Sequence, residues 1–453
     1  MGYSNFLWIV LLYPFVLLGV PAHAAARILG ALFAWGTLTR VYVYARHELA
    51  GRLPAVAAVI ALASSGTFAL WVFGGLEGQL LAFLLTLGVT GALQVTRETP
   101  NERFVWLGVV FGLASITRPE AIAYVPPTAA WLWLRNRNQG RFVDILVFVC
   151  VAASFPLTLS LAAWLYYGDP LPNTYYAKHL PLSEALVVRG LMMIRKFAAD
   201  YRWVPAGIIV AWLIAKRGSF LARGWLPLAI IVTFTLFFLR IGGDMLQYHR
   251  MWVPMLPMFA LLFAELVEQV RWPALAMTLI ALLIALTLPN SFRGRNIDSL
   301  RQGDEFVEGA HRVGRRLAQL PDSTVVAANN VGVIGYENHV RILDMLGLTN
   351  AHIARAPGKE VGIAGHESHD GSYVLDQTPD IIILGMPRAV TKPNPVWDTG
   401  QQGYPSDMDL RRDPRFAREY ELRYLKLSDG RWSPVFVREG LDVGDAWKPE
   451  RRP

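Results

Sequence analysis

The sequence predicts a polytopic α-helical membrane protein that ends in a small soluble α/β domain. Of its 453 residues, 53% are hydrophobic and 17% are charged, and the mean hydropathy is +0.33. The apolar residues are concentrated before about Asn290, in runs typical of membrane spans. After Ser291 the sequence has the mixed pattern of an ordinary soluble domain. We therefore assign residues 24–290 to a transmembrane domain and residues 291–453 to a soluble domain.

Residues 1–23 are predicted to lie in the membrane interface rather than to cross the bilayer. Their apolar run, Phe6–Val20, is shorter than the roughly twenty residues that a spanning helix needs, and Pro14 interrupts it. A signal peptide is the alternative, because Ala22-His23-Ala24 resembles a cleavage site. No basic residue precedes the apolar run, which argues against that alternative.

About ten apolar runs are predicted to span the membrane. They are Ala25–Arg46, Leu53–Phe73, Gln79–Val95, Phe104–Thr117, Ala121–Leu134, Ile145–Tyr166, Trp203–Ala215, Trp225–Arg240, Trp252–Val270 and Ala274–Leu288. The two short runs on either side of Arg118 could instead be one broken helix.

The basic residues predict the orientation, since Lys and Arg are enriched in loops on the cytoplasmic side. One set of alternate loops is basic and contains Arg46, Arg52, Arg97, Arg103, Arg135, Arg137, Arg141, Lys216, Arg217, Arg223 and Arg271. We expect the opposite loops and the C-terminal domain to face away from the cytosol. The net charge of +8 is modest and belongs largely to these loops, so we predict no nucleic-acid partner.

The outer turns carry the candidate substrate-binding residues. These are Glu77, Arg118, Glu120, Asp169, Asn173, Tyr176, Lys178, Asp244 and Arg250. The central segment, Gly168–Lys178, is polar, contains two prolines and is predicted to be an ordered loop. Ionisable groups at bilayer depth are costly and usually mark a substrate path. Cations suit a phosphate, whereas carboxylates and an amide suit hydroxyls, so the set predicts a site for a lipid-carried sugar.

Each of these residues also has a structural interpretation. Glu77 could be an acidic residue that stabilises a helix N-terminus. Arg118 could simply pair with Glu120, and Asp169 could be a turn residue. Arg250 could reach the lipid headgroups, and the tyrosines could belong to an interfacial aromatic belt.

Several blocks resemble those of a family of glycosyltransferase-C (GT-C) membrane proteins. They occur in the family's order and are Met1–Trp8, Gly75–Glu77, Thr117–Glu120, Gly168–Lys178, Gly242–Asp244 with Arg250, Gly332–Tyr336 and Arg341–Thr349. The family includes the terminal beta-1,2-arabinofuranosyltransferase of mycobacterial cell-wall synthesis. The resemblance implies a GT-C fold and a polyprenyl-phosphate sugar donor. It also implies transfer to a glycan or glycolipid acceptor of the cell envelope on the extracytoplasmic face of a bacterial cytoplasmic membrane. Direct displacement of the phosphate would invert the anomeric centre, by analogy with glycoside hydrolysis.

Family members carry a first transmembrane helix and an acidic first outer loop before the first of these blocks. The resemblance implies that this loop supplies the general base. Because the sequence begins at Met1, we expect it to lack both, and no catalytic residue is assigned. A truncated, non-catalytic remnant is therefore one alternative. A transporter or flippase of a lipid-linked saccharide is another, although we find no internal repeat of the kind that many transporters have.

Local patterns in the C-terminal part predict a small α/β domain. Ser299–Leu320 has helical periodicity, whereas Thr324–Ala328 and Asp380–Gly385 are typical of short buried strands. Tyr420–Leu427 and Trp432–Val437 flank an Asp-Gly turn and predict a β-hairpin.

No cofactor is predicted. His366, His369 and Asp370 have a spacing that could hold zinc, but a third firm ligand is not evident, so we predict no metal. The sequence has neither a Walker motif nor a Gly-rich dinucleotide fingerprint. Its single cysteine, Cys150, lies in an apolar run, so no internal disulfide can form.

Overall fold

The computed structural model describes residues 4–201, 223–244, 246, 248–292, 294–357, 359–387, 389–392, 404–441 and 447–449. The α-helices are α1 (Phe6–Leu17), α2 (Ala22–Glu48), α3 (Leu53–Ala63), α4 (Gly66–Val72), α5 (Gly78–Leu93), α6 (Glu102–Thr117), α7 (Val125–Asn136), α8 (Phe142–Tyr167), α9 (Asn173–Lys178), α10 (Glu184–Asp200), α11 (Trp225–Ile241), α12 (Leu256–Gln269), α13 (Pro273–Ser291), α14 (Gly294–Leu317), α15 (Val331–Tyr336), α16 (Ala351–Ala354), α17 (Gly371–Asp376), α18 (Pro405–Arg412) and α19 (Pro414–Glu419). The strands are β1 (Val325–Ala328), β2 (Arg341–Asp344), β3 (Ile381–Ile383), β4 (Tyr420–Lys426), β5 (Trp432–Arg438) and β6 (Trp447–Pro449).

The chain divides into two compact units. The helical unit consists of Tyr3–Pro170 and Leu182–Asn296. The mixed unit contains the C-terminal part, Ile297–Pro453, together with the short segment Leu171–Pro181. The candidate residues of the Gly168–Lys178 segment are therefore shared between the units: Asp169 belongs to the helical unit, whereas Lys178 belongs to the mixed unit.

Within the described residues, three helical segments are long and apolar enough to cross a membrane: α2, α8 and Arg250–Gln269. The bent pair α3 and α4 is also long and apolar enough if the two helices form one broken span. Shorter apolar helices are Phe6–Leu17, Gly78–Leu93, Trp225–Ile241 and Pro273–Pro289. The predicted span Trp203–Ala215 lies outside the described residues. The total of about ten spans stays a prediction.

Predicted runs break where a capping group or a proline interrupts the helix. The run Leu53–Phe73, which is predicted as one span, forms two helices, and the chain bends by 66° between α3 and α4. The Ser65 side chain accepts a hydrogen bond from the Phe68 amide and so begins a new helix. Helix α6 ends at Thr117 because Pro119 keeps Arg118 extended and begins the 3₁₀ helix Pro119–Tyr124.

Close packing in the helical unit depends on small residues. A Cβ atom on Gly108 would lie 2.7 Å from the Cβ of Val151, and one on Gly112 would lie 2.4 Å from the Phe155 ring. Helices α6 and α8 can therefore approach each other closely, as small residues allow in membrane helices. The Phe111 and Phe148 rings meet edge-on between them, with centroids 5.6 Å apart.

The mixed unit contains a six-stranded sheet in the order β2-β1-β3-β5-β4-β6. Strands β1, β2 and β3 are parallel, and the remaining pairs are antiparallel. The predicted strands at Thr324–Ala328 and Asp380–Gly385 are confirmed as β1 and β3. The predicted hairpin is confirmed as β4 and β5. Gly430 in its turn has φ +82°, a conformation that glycine adopts without strain.

Alternate residues of the parallel strands pack on opposite faces of the sheet. On one face, Val326 and Ile381 pack in a cluster with Val313 and Leu317 of α14. On the other face, Ala327 packs with residues of α16, α17 and α18. The near-continuous apolar sequences of β1 and β3 follow from this burial on both faces.

The Gly168–Lys178 segment is only partly a loop. Gly168 has φ +71° and ends α8. Pro172 then precedes α9, and its fixed φ and missing N–H are compatible with a helix start. The prediction of a loop was therefore wrong for Asn173–Lys178, which form a short helix.

Candidate functional site

A network of ion pairs connects three of the predicted blocks in the helical unit. Arg118 follows α6, and its Nη1 lies 3.2 Å from Oε1 of Glu77, the residue before α5. The Arg118 Nε lies 2.5 Å from Oε1 of Glu120. Asn5 donates from Nδ2 to Oε2 of Glu77 at 3.2 Å. Trp8 donates to the carbonyl of Gly75 at 3.2 Å, which fixes the turn before Glu77.

These charged groups are largely removed from solvent. The side chains of Arg118, Glu77 and Glu120 are 18%, 10% and 11% exposed. Burial by itself would lower the pKa of Arg118, but the carboxylates of Glu120 and Glu77 outweigh it and raise the pKa. Arg118 therefore stays cationic, and the structural interpretation of Arg118 as the partner of Glu120 also fits this geometry.

A second ion pair lies in the same region of the helical unit. Arg250 donates from Nε and Nη2 to the two carboxylate oxygens of Asp244, at 3.1 and 2.9 Å. Gly242 and Gly243, with φ +71° and +94°, end α11 and turn the chain toward Asp244. The charge of Asp244 contributes to the raised pKa of Arg118, so the Asp244–Arg250 pair interacts electrostatically with the network around Arg118.

A cavity of about 80 Å³ lies beside this second pair. Its lining includes Asp244, Lys196 and His249. Oδ2 of the buried Asp200 lies 2.9 Å from Nε2 of His249. The sequence analysis missed Asp200 and His249, which are 49 positions apart. Its only signal was the position of His249 directly before Arg250.

The remaining part of the central segment is held within the mixed unit. The guanidinium of Arg355 lies 3.9 Å from the ring centroid of Tyr176, and its Nη1 donates to Oδ1 of Asn173 at 3.5 Å. The Lys359 ammonium donates to the carbonyl of Tyr176 at 2.5 Å, and burial lowers the pKa of Lys359. Arg355 and Lys359 were not among the predicted site residues.

The structure therefore brings together Glu77, Arg118, Glu120, Asp244 and Arg250 in one region of the helical unit. Asp169 is a half-buried residue that follows α8 in the same unit. Asn173, Tyr176 and Lys178 belong to the mixed unit. That all of these residues line one cavity stays a prediction.

The three residues with zinc-like spacing have different partners in the structure. His366 stacks on Tyr404 with ring centroids 4.8 Å apart, and burial lowers its pKa. His369 pairs with Asp409 through Nδ1 at 3.1 Å. Asp370 pairs with His352 and accepts a hydrogen bond from the first turn of α17. Within the described ranges, no group of three or more His, Cys, Asp or Glu residues could hold a metal ion.

Two buried carboxylates shape the loops after the parallel strands. Asp344, at the end of β2, accepts hydrogen bonds from the amides of Leu346 and Thr349. Asp407 accepts from Asn329 Nδ2 at 2.7 Å and from the Gly385 amide at 2.9 Å. Burial raises the pKa of both carboxyl groups, and that of Asp407 reaches about 6. These contacts give the Arg341–Thr349 block a structural role.

Comparisons with known proteins identify a fold. A family model described as a domain of unknown function (DUF8728) matches residues 296–436. A comparison with curated proteins found no significant match. Among solved structures, ArnT from Cupriavidus metallidurans in the apo state is 14% identical, with a TM-score of 0.51 over 91% of this chain and 83% of ArnT. The chain has an ArnT-like fold.

ArnT bound to undecaprenyl phosphate also matches, at 12% identity and a TM-score of 0.46, over 70% of this chain and 71% of ArnT. The match to apo ArnT covers most of both chains, so the ArnT-like fold extends over most of the sequence. It supports the coarser part of the predicted fold class, a mainly helical ArnT-like fold with several apolar helices and a small C-terminal sheet. The number of spans and their insertion in a membrane stay predictions.

Proposed function

We propose that this protein is an integral-membrane glycosyltransferase that moves a sugar from a polyprenyl-phosphate donor to a glycan or glycolipid acceptor of the cell envelope. The observation that carries the proposal is the network of Arg118, Arg250 and three carboxylates in a chain with an ArnT-like fold. ArnT is a GT-C glycosyltransferase, and one of its structures is described as bound to undecaprenyl phosphate.

The charges in this network suit the two halves of such a donor. Guanidinium and ammonium groups bind phosphate, and they stabilise the charge that develops on it when the bond to the sugar breaks. Within the network we assign this role to Arg250; for Lys178 it stays the prediction made from the sequence. Glu77, Glu120 and Asp244 can accept hydrogen bonds from sugar hydroxyls, as can Asp169. Direct attack by the acceptor hydroxyl on the anomeric carbon would invert that centre.

We further propose that the helical unit lies in the bacterial cytoplasmic membrane, with the mixed unit on the extracytoplasmic side. Helix α8 supports the membrane location, since only 17% of its most apolar stretch is buried within the protein. An apolar surface of that extent is unfavourable in water. The basic loops that include Arg97 and Arg141 support the second part through the positive-inside rule.

The test is a transfer assay with the full-length protein in proteoliposomes and a panel of radiolabelled polyprenyl-phosphate sugars, including arabinofuranose. We expect the wild type to release polyprenyl phosphate and to label the acceptor. Arg250→Gln should lower kcat by roughly 100-fold, the scale for loss of one donor to a developing charge. Lys178→Ala and Asp169→Ala should also lower transfer. The exposed Arg97 gives a matched control, Arg97→Gln, which should leave transfer unchanged.

Two results would overturn the proposal. Wild-type protein that binds every donor but forms no product would be a binding protein. Wild-type protein that moves intact donor across the bilayer without breaking its phosphate ester would be a flippase. If Arg250→Gln transferred normally, the glycosyltransferase could stand, but the assignment of Arg250 to the phosphate would be wrong.

A further inference from the structure

Two polar groups in the lining of the cavity beside Asp244 lack a hydrogen-bond partner among the described residues. Trp252 is 4% exposed, and its Nε1 has no hydrogen-bond partner among the residues that the structure describes. The same holds for the buried hydroxyl of Tyr248. Both residues line the cavity, as does Lys196. A buried donor without a partner is costly, so a ligand oxygen in this cavity would be stabilised.

The size of the cavity limits the ligand. Its volume of about 80 Å³ is several times the roughly 10–15 Å³ that one water molecule requires. It therefore has room for a hydroxyl-bearing carbon, such as the edge of a sugar, but not for a complete saccharide.

The turn that carries Tyr248 and His249 is strained. Both residues have a left-handed backbone, with φ values of 53° and 51°. Such conformations cost on the order of 1–3 kcal/mol each and occur preferentially at functional sites. Surrounding aromatic rings hold the turn in place: the Phe197 ring stacks on Trp252 at 4.0 Å and meets the His249 ring edge-on at 5.3 Å.

His249 has the polar environment of a proton acceptor. Asp200 is 5% exposed, and its carboxylate accepts the hydrogen bond from Nε2–H of His249 at 2.9 Å. With that proton on Nε2, the lone pair of the neutral ring is on Nδ1. No partner of Nδ1 is present within the described ranges.

The neighbouring carboxylates are less available for this task. Both oxygens of Asp244 accept hydrogen bonds from Arg250. Glu77 accepts from Arg118 and Asn5, and Glu120 accepts from Arg118. Lone pairs that already bind a guanidinium are poorly placed to take a proton from a substrate. His249 is the cavity-lining base whose only described polar partner is a carboxylate.

We infer that His249 takes the proton from the acceptor hydroxyl, and that the cavity beside it holds that hydroxyl. This rests on the proposed glycosyltransferase function and adds a residue to it. In the step, the hydroxyl oxygen forms the bond to the anomeric carbon, while its proton passes to Nδ1 of His249. The bond from the anomeric carbon to the phosphate oxygen breaks, and polyprenyl phosphate leaves with the electron pair. Asp200 is the positioning residue that fixes the ring and stabilises the imidazolium.

The test compares donor binding and turnover in the full-length protein in proteoliposomes. His249→Gln retains a polar side chain but cannot act as a base, so we expect kcat to fall by roughly 100-fold or more, the usual share of general base catalysis. The Kd for polyprenyl phosphate should stay within about threefold, since no phosphate contact is removed. Asp200→Asn should give a smaller fall in kcat. The same exchange at an exposed position, His47→Gln, is the matched control.

Rescue separates a chemical role from a structural one. Glycine tolerates the left-handed backbone at position 249, so His249→Gly should fold and should regain activity when imidazole is added. The inference is overturned if the wild type transfers sugar and His249→Gln transfers it equally well. It is also overturned if both His249 variants lose transfer and imidazole restores none. A wild type that transfers no sugar would instead refute the proposed function itself.

Discussion

Asp407 allows a quantitative test of the mixed unit. The residue is fully buried, and burial raises its pKa from 3.8 to about 6. The folded unit therefore binds the proton more tightly than the unfolded chain does. Through this group, stability is gained as the pH falls through about 6 and is fully present only below the unfolded value of 3.8.

The size of the effect follows from the difference between the two pKa values. One pKa unit corresponds to about 1.36 kcal/mol, so the full contribution is about 3 kcal/mol. Of this, about 2 kcal/mol is gained between about pH 7.5 and about pH 4.5. Asp407→Asn removes the titrating group but retains its shape. The variant loses one hydrogen bond, because Asn329 and Gly385 donate to different oxygens of Asp407 and one of these oxygens is replaced by an NH2 group.

The assay is hydrogen exchange of the β1 and β3 amides in the full-length protein, corrected for the intrinsic exchange rate at each pH. The opening free energy of wild type relative to Asp407→Asn should rise by about 2 kcal/mol over that pH range. Titration of nearby histidines occurs in both proteins and cancels in this difference. Asp298→Asn, at an exposed position, should show no such change. Parallel pH profiles for wild type and Asp407→Asn would refute the reasoning.

Other features give further expectations. Gly430→Ala should lower the opening free energy of the hairpin by about 1 kcal/mol, since alanine is strained at φ +82°. Hydrogen exchange of the β4 amides would measure this, and an unchanged opening free energy would contradict it. In a variant without the native cysteine, a membrane-impermeant maleimide should label Ser428→Cys but not Glu98→Cys in spheroplasts, and the opposite pattern would invert the proposed topology. Asp244→Asn should tighten polyprenyl-phosphate binding several-fold by releasing Arg250, and weaker binding would exclude Arg250 as a phosphate ligand.

The elements that the sequence predicts well are those with a local cause. The hairpin around Gly430 depends on alternating residues and on the chemistry of one turn. The buried strands β1 and β3 depend on short β-branched and apolar runs. The break at Arg118 depends on Pro119 directly after it. In each case the residues that decide the structure lie within a few positions of the element.

The features that the sequence did not predict have distant causes. The bend between α3 and α4 is supported by Tyr201, whose hydroxyl bonds Ser65 from 136 positions away. Arg355 contacts Asn173 across 182 positions. The left-handed backbone of His249 has no signature in the local sequence, because only the surrounding packing can hold such a conformation. Pairing over these distances is a property of the fold.

The charge balance of the site indicates how a phosphate would enter it. Three carboxylates, those of Glu77, Glu120 and Asp244, face the guanidinium groups of Arg118 and Arg250. Both guanidinium groups are already paired with carboxylates, so a phosphate can bind Arg250 well only if Arg250 leaves Asp244 for it. The freed carboxylate could then accept hydrogen bonds from the sugar that the phosphate carries. The intact donor would thus replace the ion pair with two contacts, one from Arg250 to its phosphate and one from Asp244 to its sugar. A free phosphate or a neutral sugar can supply only one of these contacts, so each should bind more weakly than the intact donor.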